Sequence, residues 1–269
     1  MNAPEKKVEL DPLLLERRAA GVVHLTLNRP SQFNSLSEEM LEALHATLQR
    51  IAQDPAARVV VLGGAGKAFC AGHDLKQMKA NPSAEYYRKL FADCAQVMMQ
   101  IQKMPQPVIA RVHGIATAAG CQLVAMCDLA VASSDARFAV SGINVGLFCS
   151  TPAVALSRNV DRKRAFEMLV TGDFIDAATA KHRGLINRVA EPDQLDAEIA
   201  RLTDAIVAKP GFAIALGKDL FYRQGEMGIE AAYQLAGQTM ACNMIDPVAQ
   251  EGLQAFIEKR KPAWGTPGA

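Results

Sequence analysis

Apolar residues along this chain fall into short runs and helical stripes. Val22–Leu27 (VVHLTL) is apolar and β-branched and stops at Asn28-Arg29-Pro30, which predicts a strand. Ser37 follows as a predicted N-cap, with Glu38 and Glu39 in the first turn, where the helix dipole favours anions. Met40, Leu41, Leu44, Leu48 and Ile51 then recur at helical spacing, so one amphipathic helix runs to about Gln53. Residues 59–62 (VVVL) form a continuous apolar run, as a strand buried on both faces requires. A glycine-rich turn leads to a helix over about residues 85–103, ended by Pro105 and Pro107. Residues 108–110 predict the next strand. A helical run through Ala125 and a strand over residues 129–131 follow.

Strands alternating with helices imply right-handed crossovers and a mostly parallel sheet. After about Thr151 the pattern turns helical almost throughout, with main helices over residues 196–207, 212–224, 228–243 and 247–259. The chain is therefore read as an α/β core over residues 1–200 and a helical region over 201–269.

Composition narrows the function classes. Half of the 269 residues are hydrophobic and 21% are charged, ordinary for a soluble globular protein. A net charge of +1 gives no support to nucleic-acid or membrane binding as the main task. No apolar run approaches the ~20 residues that cross a bilayer. The six cysteines (Cys70, Cys94, Cys121, Cys127, Cys149, Cys242) are scattered, with no CxxC pair and no adjacent histidines, and read as small buried thiols rather than metal ligands. The start, MNAPEKKVELDP, lacks an apolar signal core, and Glu5, Glu9 and Asp11 argue against a transit peptide. A cytoplasmic location is expected.

Several catalytic signatures fail. Gly63-Gly64-Ala65-Gly66-Lys67 follows a strand, but a P-loop would need glycine where Val61 stands and Ser or Thr where Ala68 stands. A Rossmann fingerprint would need glycine at Phe69. There is no GxSxG elbow, and the five histidines (His24, His45, His73, His113, His182) show no paired metal spacing.

Two glycine-rich corners remain, each after a predicted strand: Phe69-Cys70-Ala71-Gly72-His73-Asp74-Leu75-Lys76 and residues 113–122 (HGIATAAGCQ). Small residues let a ligand approach the main chain, and N–H groups at a helix start are unpaired. Two such corners facing one pocket would cradle an oxyanion.

FCAGHDLKQM (residues 69–78) resembles the F-S-A-G-x-D-[IL]-x-x-[ML] signature of the enoyl-CoA hydratase/isomerase, or crotonase, superfamily. PVIARVHGIATAAGCQLVAMCDLAVAS (107–133) resembles its second signature, P-V-I-A-x-V-x-G-x-A-x-G-G-G-x-E-L-x-x-x-C-D. LNRPSQFNSLS near the start and GLQAFIEKRKP near the end match in the same order. Cys121-Gln122-Leu123 followed by residues 140–152 is most similar to the enoyl-CoA hydratase domain-containing protein 3 branch. The resemblance implies a ClpP/crotonase-like spiral of repeated ββα units and a helical C-terminal trimerisation region. It also implies a homotrimer or homohexamer and an acyl-CoA substrate, with no cofactor beyond the coenzyme A of that substrate. By the same resemblance the oxyanion hole falls on the N–H groups of His73 and Ala119. Coenzyme A contacts fall on Ala71, His73, Asp74, Leu75, Lys76 and Ala119, with Phe256 and Lys259 at the adenine end.

The sequence departs from the family where water is handled. The two hydratase glutamates match Gln122 and Gly142, so both carboxylates are missing. An amide does not titrate near neutrality, and each lost general acid or base costs about 10²–10⁴-fold. Ser141, Asn144, Cys149 and the imidazoles of His73 and His113 are nearby substitutes. Asp74 and Asp128 read as capping residues, and Arg158, Arg162, Lys163 and Arg164 as a solvated basic cluster or contacts for the coenzyme A phosphates. The resemblance implies an acyl-CoA enzyme of lyase type, stabilising a thioester enolate, with efficient hydration in doubt. Two alternatives stand beside it: a non-catalytic acyl-CoA-binding protein, and a decarboxylase of malonyl-type acyl-CoAs, whose enolate forms by loss of CO₂.

Overall fold

The computed structural model describes residues 12–264. Glu5, Glu9 and Asp11 lie outside them. Strands β1 (Leu14–Ala19) and β2 (Val22–Leu27) form an antiparallel hairpin, and helix α1 (Glu38–Ala52) follows. The Ser37 hydroxyl accepts from Met40 N–H at 3.3 Å, and the five apolar residues of the helical stripe are buried. Three ββα turns come next. The first is β3 (Val59–Gly64), β4 (Ala68–Cys70), α2 (Leu75–Ala80) and α3 (Ala84–Lys103). The second is β5 (Val108–Val112), β6 (Ile115–Thr117) and α4 (Ala119–Met126). The third is β7 (Leu129–Ser133), β8 (Arg137–Ala139), α5 (Ser150–Asn159) and α6 (Arg162–Thr171).

The first strand of each turn joins a six-stranded sheet, ordered β1-β2-β3-β5-β7-β10, where β10 is Arg188–Ala190. The second joins a four-stranded sheet, ordered β4-β6-β8-β9, where β9 is Ile175–Asp176. This alternation is the spiral of repeated units. Pairing among β2, β3, β5 and β7 is parallel, and both sheet faces are covered. Val60 and Leu62 enter the large core with α1 and α3. Val59 and Val61 meet Ile109, Val131 and the Leu195, Ile199 and Leu202 side chains of α8 (Leu195–Val207). The unbroken VVVL run is thus a strand with apolar neighbours on both sides.

The reading of the chain after about Thr151 as helical almost throughout is corrected at two places. β9 (Ile175–Asp176) pairs antiparallel with β8, and β10 (Arg188–Ala190), after α7 (Ala177–His182), extends the large sheet in parallel beside β7. Both are too short for periodicity to register. They are fixed by tertiary bonds, such as Asn187 N–H to Ala130 O at 2.9 Å and Ala130 N–H to the Asn187 side-chain oxygen at 2.8 Å.

Helices α9 (Gly211–Gln224), α10 (Ile229–Met244) and α11 (Pro247–Ile257) complete the order. α9 is pinned to the body by the buried Lys218, whose Nζ donates to Asp128 Oδ2 (2.7 Å) and to the carbonyls of Ile101 (2.7 Å) and Gln106 (2.8 Å). Asp128 also accepts from Val108 N–H (2.6 Å) and the Tyr222 hydroxyl (2.8 Å). By contrast, Phe221, Ile229, Tyr233, Met240 and Ile245 stand exposed on α9, α10 and the turn that follows. Among the described residues no helix is long and apolar enough to cross a membrane.

Candidate active site

The two glycine-rich corners meet. β4 and β6 are parallel neighbours, so the segments that leave their carboxyl ends run side by side. Gly72 makes the approach: it has φ +91°, and a Cβ there would lie 2.9 Å from Ala118 Cβ and 3.2 Å from Ala119 N. A side chain at 72 would separate the corners.

Each corner presents a free amide. Leu36 bonds to the peptides on either side of His73, its N–H to Gly72 O at 2.8 Å and its carbonyl from Asp74 N–H at 3.3 Å. That pairing turns the His73 N–H away from Leu36. Ala119 is the first residue of α4, where no preceding turn supplies an acceptor, and no side chain caps it. Among the described residues neither N–H has a backbone acceptor. Ala118 aims the second amide at some cost. It holds φ +51°, ψ −121°, a region that alanine rarely adopts, worth about 1–3 kcal/mol of strain. Its own N–H is fixed to Ala139 O at 3.0 Å.

A cavity of about 320 Å³ opens at this junction. Ala71, His73, Leu75, Ala119 and Gly142 line it, together with Met78, Phe91, Val145, Leu147, Phe148, Ser141 and Cys149. Its wall is mostly apolar, and no carboxylate is among its lining residues. Both ring nitrogens of His73 are buried without a hydrogen-bond partner, and the ring meets Phe91 edge-on at 5.5 Å. Burial holds the imidazole neutral, its pKa pushed down to about 4. Ser141 pairs with Thr117 through their hydroxyls at 2.8 Å. Burial raises the Cys149 thiol, which contacts Val140 O at 3.6 Å, so it is a neutral wall group.

The remaining candidate residues fall elsewhere. Gln122, one turn into α4 and 5% exposed, is not on the lining, and its Oε1 is buried without a partner. Asp74 caps α2 through Lys76 and Gln77 N–H and pairs with Arg29 at 3.0 Å. Burial opposes its ionisation, but the Arg29 contact and backbone bonds hold its carboxyl below the ordinary range. Lys76 is exposed on α2. Phe256, 82% exposed on α11, and Lys259 just beyond it do not line the cavity of the single chain. His113 is held by Gly66 O (2.9 Å) and Asn144 by Gly172 O (3.4 Å), and neither lines the cavity. Arg158 and Arg164 pair with Glu226 (3.2 Å) and Asp161 (3.6 Å). Among the described residues no cluster of His, Cys, Asp or Glu could hold a metal ion.

Gly142 carries a constraint that the sequence conceals. A Cβ there would lie 2.6 Å from Leu147 O and 2.7 Å from Cys149 Sγ. A glutamate therefore cannot enter by simple replacement. The apolar rim of Val145, Leu147 and Phe148 is equally hidden from sequence reasoning, because these residues follow no period and are placed only by the short 3₁₀ turn Ser141–Val145.

Fold and sequence comparison agree on the class. Residues 17–267 match the enoyl-CoA hydratase/isomerase family, and the chain belongs to it. It is 45% identical over 253 residues to the Xenopus laevis protein named enoyl-CoA hydratase domain-containing protein 3, mitochondrial, covering 94% of this chain and 86% of that one. The solved human enoyl Coenzyme A hydratase domain-containing protein 3 superposes with a TM-score of 0.91 at 42% identity, covering 94% of this chain and 100% of that chain. An enoyl-CoA hydratase from Mycobacterium smegmatis gives 0.94 at 67% identity, covering 95% of this chain and all of that one. The expected cytoplasmic location is corrected here, because the Xenopus laevis relative and the Mus musculus protein of the same name are both designated mitochondrial.

Proposed function

We propose that this chain binds an acyl-CoA thioester and polarises its carbonyl between the His73 and Ala119 N–H groups. The observation that carries the reading is two acceptor-free amides, held side by side by Gly72 at an apolar cavity. Loss of an α-proton or of a carboxylate from a thioester puts charge on the carbonyl oxygen. One preorganised donor aimed there is worth roughly 3 kcal/mol, about 10²-fold in rate. The dipole of α4 adds to the Ala119 donor. Ala71, His73 and Leu75 would line the thioester end, with Asp74 acting through the cap of α2 and Lys76 reaching toward the phosphates. Phe256 and Lys259 would approach from a neighbouring copy in a homotrimer or homohexamer, a state favoured by the exposed apolar side chains of α9, α10 and α11.

A second reading is favoured by the carboxylate-free lining. Gln122 cannot take a proton, and Gly142 has no space for a side chain. Such a cavity suits an enolate that forms without a protein base, as in decarboxylation of a malonyl-type acyl-CoA, or binding without turnover.

Carbon-13 NMR of bound [1-¹³C]butyryl-CoA separates these readings from a site with no oxyanion hole. The carbonyl resonance moves downfield on binding. The move is lost in Gly72→Ala, which wedges the corners apart, and kept in His73→Phe, which retains the amide. An unmoved resonance in the parent protein overturns the proposal. Release of CO₂ from methylmalonyl-CoA then distinguishes the decarboxylase from the binder.

A further inference from the structure

A second cavity, of about 850 Å³, lies beside the amino ends of β3 and β5 and shares no lining residue with the first. It is an open groove lined by the C-terminal ends of α1 and α8, the starts of α9 and α11 and the strap after α11. Its wall is largely proline, aliphatic and aromatic, with Phe212 on one element and Trp264 on another.

Charge on this wall is unbalanced. Arg58 and Lys209 both line it, and among the described residues neither has a carboxylate partner. The Arg58 guanidinium is braced, because it donates to the Lys209 carbonyl and packs where a Cβ of Gly211 would lie 2.9 Å from its Nε. Asp54 is the one carboxylate on the lining, and it is held by Arg18. Gln106, 6% exposed, adds an orphaned acceptor. Its Nε2 donates to Ile51 O (3.0 Å) and Asp54 O (3.3 Å), which leaves Oε1 buried without a partner.

Trp264 is placed by specific contacts. Arg260 bonds both Glu251 oxygens, at 2.6 and 2.9 Å, and Ala263 N–H donates to Glu251 Oε1 at 2.6 Å. This clamp folds the strap back on α11. The indole then packs on Gly252, where a Cβ would lie 2.7 Å from the ring.

The geometry points to a binding site for a hydrophobic monocarboxylate, its body against Phe212 and Trp264 and its carboxylate at Arg58 and Lys209. An apolar wall that carries two cations without carboxylate partners favours an amphipathic anion over a neutral ligand. A hydrogen bond from a charged group is strong when it is desolvated, and an exposed lysine contributes much less.

Trp264 is the only tryptophan of the chain, so its emission reports this cavity alone. Titration of the whole protein with 4-phenylbutyrate should shift that emission saturably. 4-Phenylbutyramide, the same shape without the charge, should bind about tenfold more weakly, and Arg58→Gln should weaken binding of the acid by a similar factor. Lys209→Gln, on the exposed side, should lose about threefold. Saturating acetyl-CoA should leave the titration unchanged. The proposal is overturned by an unshifted emission, by equal affinity for acid and amide, by affinity unaltered in Lys209→Gln, or by displacement with acetyl-CoA, which would place the ligand in the first cavity. Since the thioester reading is tested separately by the carbonyl resonance of bound butyryl-CoA, failure here leaves that reading standing, and the converse holds too.

Discussion

The two ends of β5 and α4 handle buried polar groups in opposite ways. At the α9 junction Lys218 and Asp128 are nearly sealed from solvent, and every strong group has a partner: two carbonyls, one backbone N–H, one phenol and each other. At the amide corners two N–H groups, both His73 ring nitrogens and Gln122 Oε1 have no partner among the described residues, and Ala118 is strained. A satisfied network locks one arrangement, whereas unsatisfied groups of the same burial cost stability until something arrives to pair with them. The contrast leaves the corners with groups open to a partner and makes the junction a rivet.

The largest expected effect breaks the rivet. Lys218→Met leaves the Asp128 carboxylate buried beside two carbonyls that have lost their donor. Removing one partner of such a pair costs about 3–5 kcal/mol, read as a lower urea midpoint. Lys218→Met with Asp128→Asn should recover part of that loss. A single variant as stable as the parent would show that α9 is not held through this contact.

Acid should separate the two regions from the other side. The folded His73 stays neutral down to about pH 4, whereas the ordinary value is 6.5. Above 6.5 neither state is protonated, so the group contributes no pH dependence there. As pH falls from 6.5 toward 4 the unfolded chain takes up a proton that the folded chain refuses. Stability therefore falls through this window by roughly 3 kcal/mol and levels off below it. Urea midpoints at pH 7.5 and 4.5 should diverge in the parent and much less in His73→Phe. Equal divergence in both would assign the acid sensitivity to other groups.

Much of this architecture is legible in the sequence alone. The Ser37 cap, the five-residue stripe of α1, the VVVL strand and the helices α8 to α11 rest on local patterns that tertiary structure does not override. Both corners are marked as well, since runs of small residues after a strand limit what the chain can do there. Less visible are β1, exposed along nearly its whole length and paired with its hairpin neighbour β2, and β4, β6 and β8 to β10, three residues or fewer, which gain their bonds from partners far along the chain. The site is legible in its main chain and opaque in its walls. Val145, Leu147 and Phe148 approach the cavity only because of how one 3₁₀ turn is seated, and the Gly142 collision involves a carbonyl five residues on.

That collision makes the two missing glutamates unequal. Gln122→Glu enters an existing side-chain volume, but that volume is buried off the cavity lining, so its carboxylate does not touch a bound thioester. It should raise crotonyl-CoA hydration by less than about tenfold over the parent, short of the about 10²–10⁴-fold of a placed general acid or base. Gly142→Glu should add nothing, and Gly142→Glu with Cys149→Ala little more, because the Leu147 carbonyl remains 2.6 Å from the new Cβ. Stopped assays of crotonyl-CoA loss decide it. If Gly142→Glu alone restores hydration, the 3₁₀ turn yields more readily than its contacts suggest.

The smallest effect tests whether strain belongs to the corner itself. Ala118 sits at φ +51°, ψ −121°, where glycine loses the steric penalty but adds freedom to the unfolded chain. The two terms oppose, and relief should win by about 1 kcal/mol. Ala118→Gly should thus stabilise the empty protein while loosening the direction of the Ala119 N–H, so that the downfield move of a bound thioester carbonyl shrinks. Gained stability with a weaker carbonyl shift would show that the strained peptide aims the donor. Gained stability with an unchanged shift would mean that Gly72 and the start of α4 orient the amide by themselves.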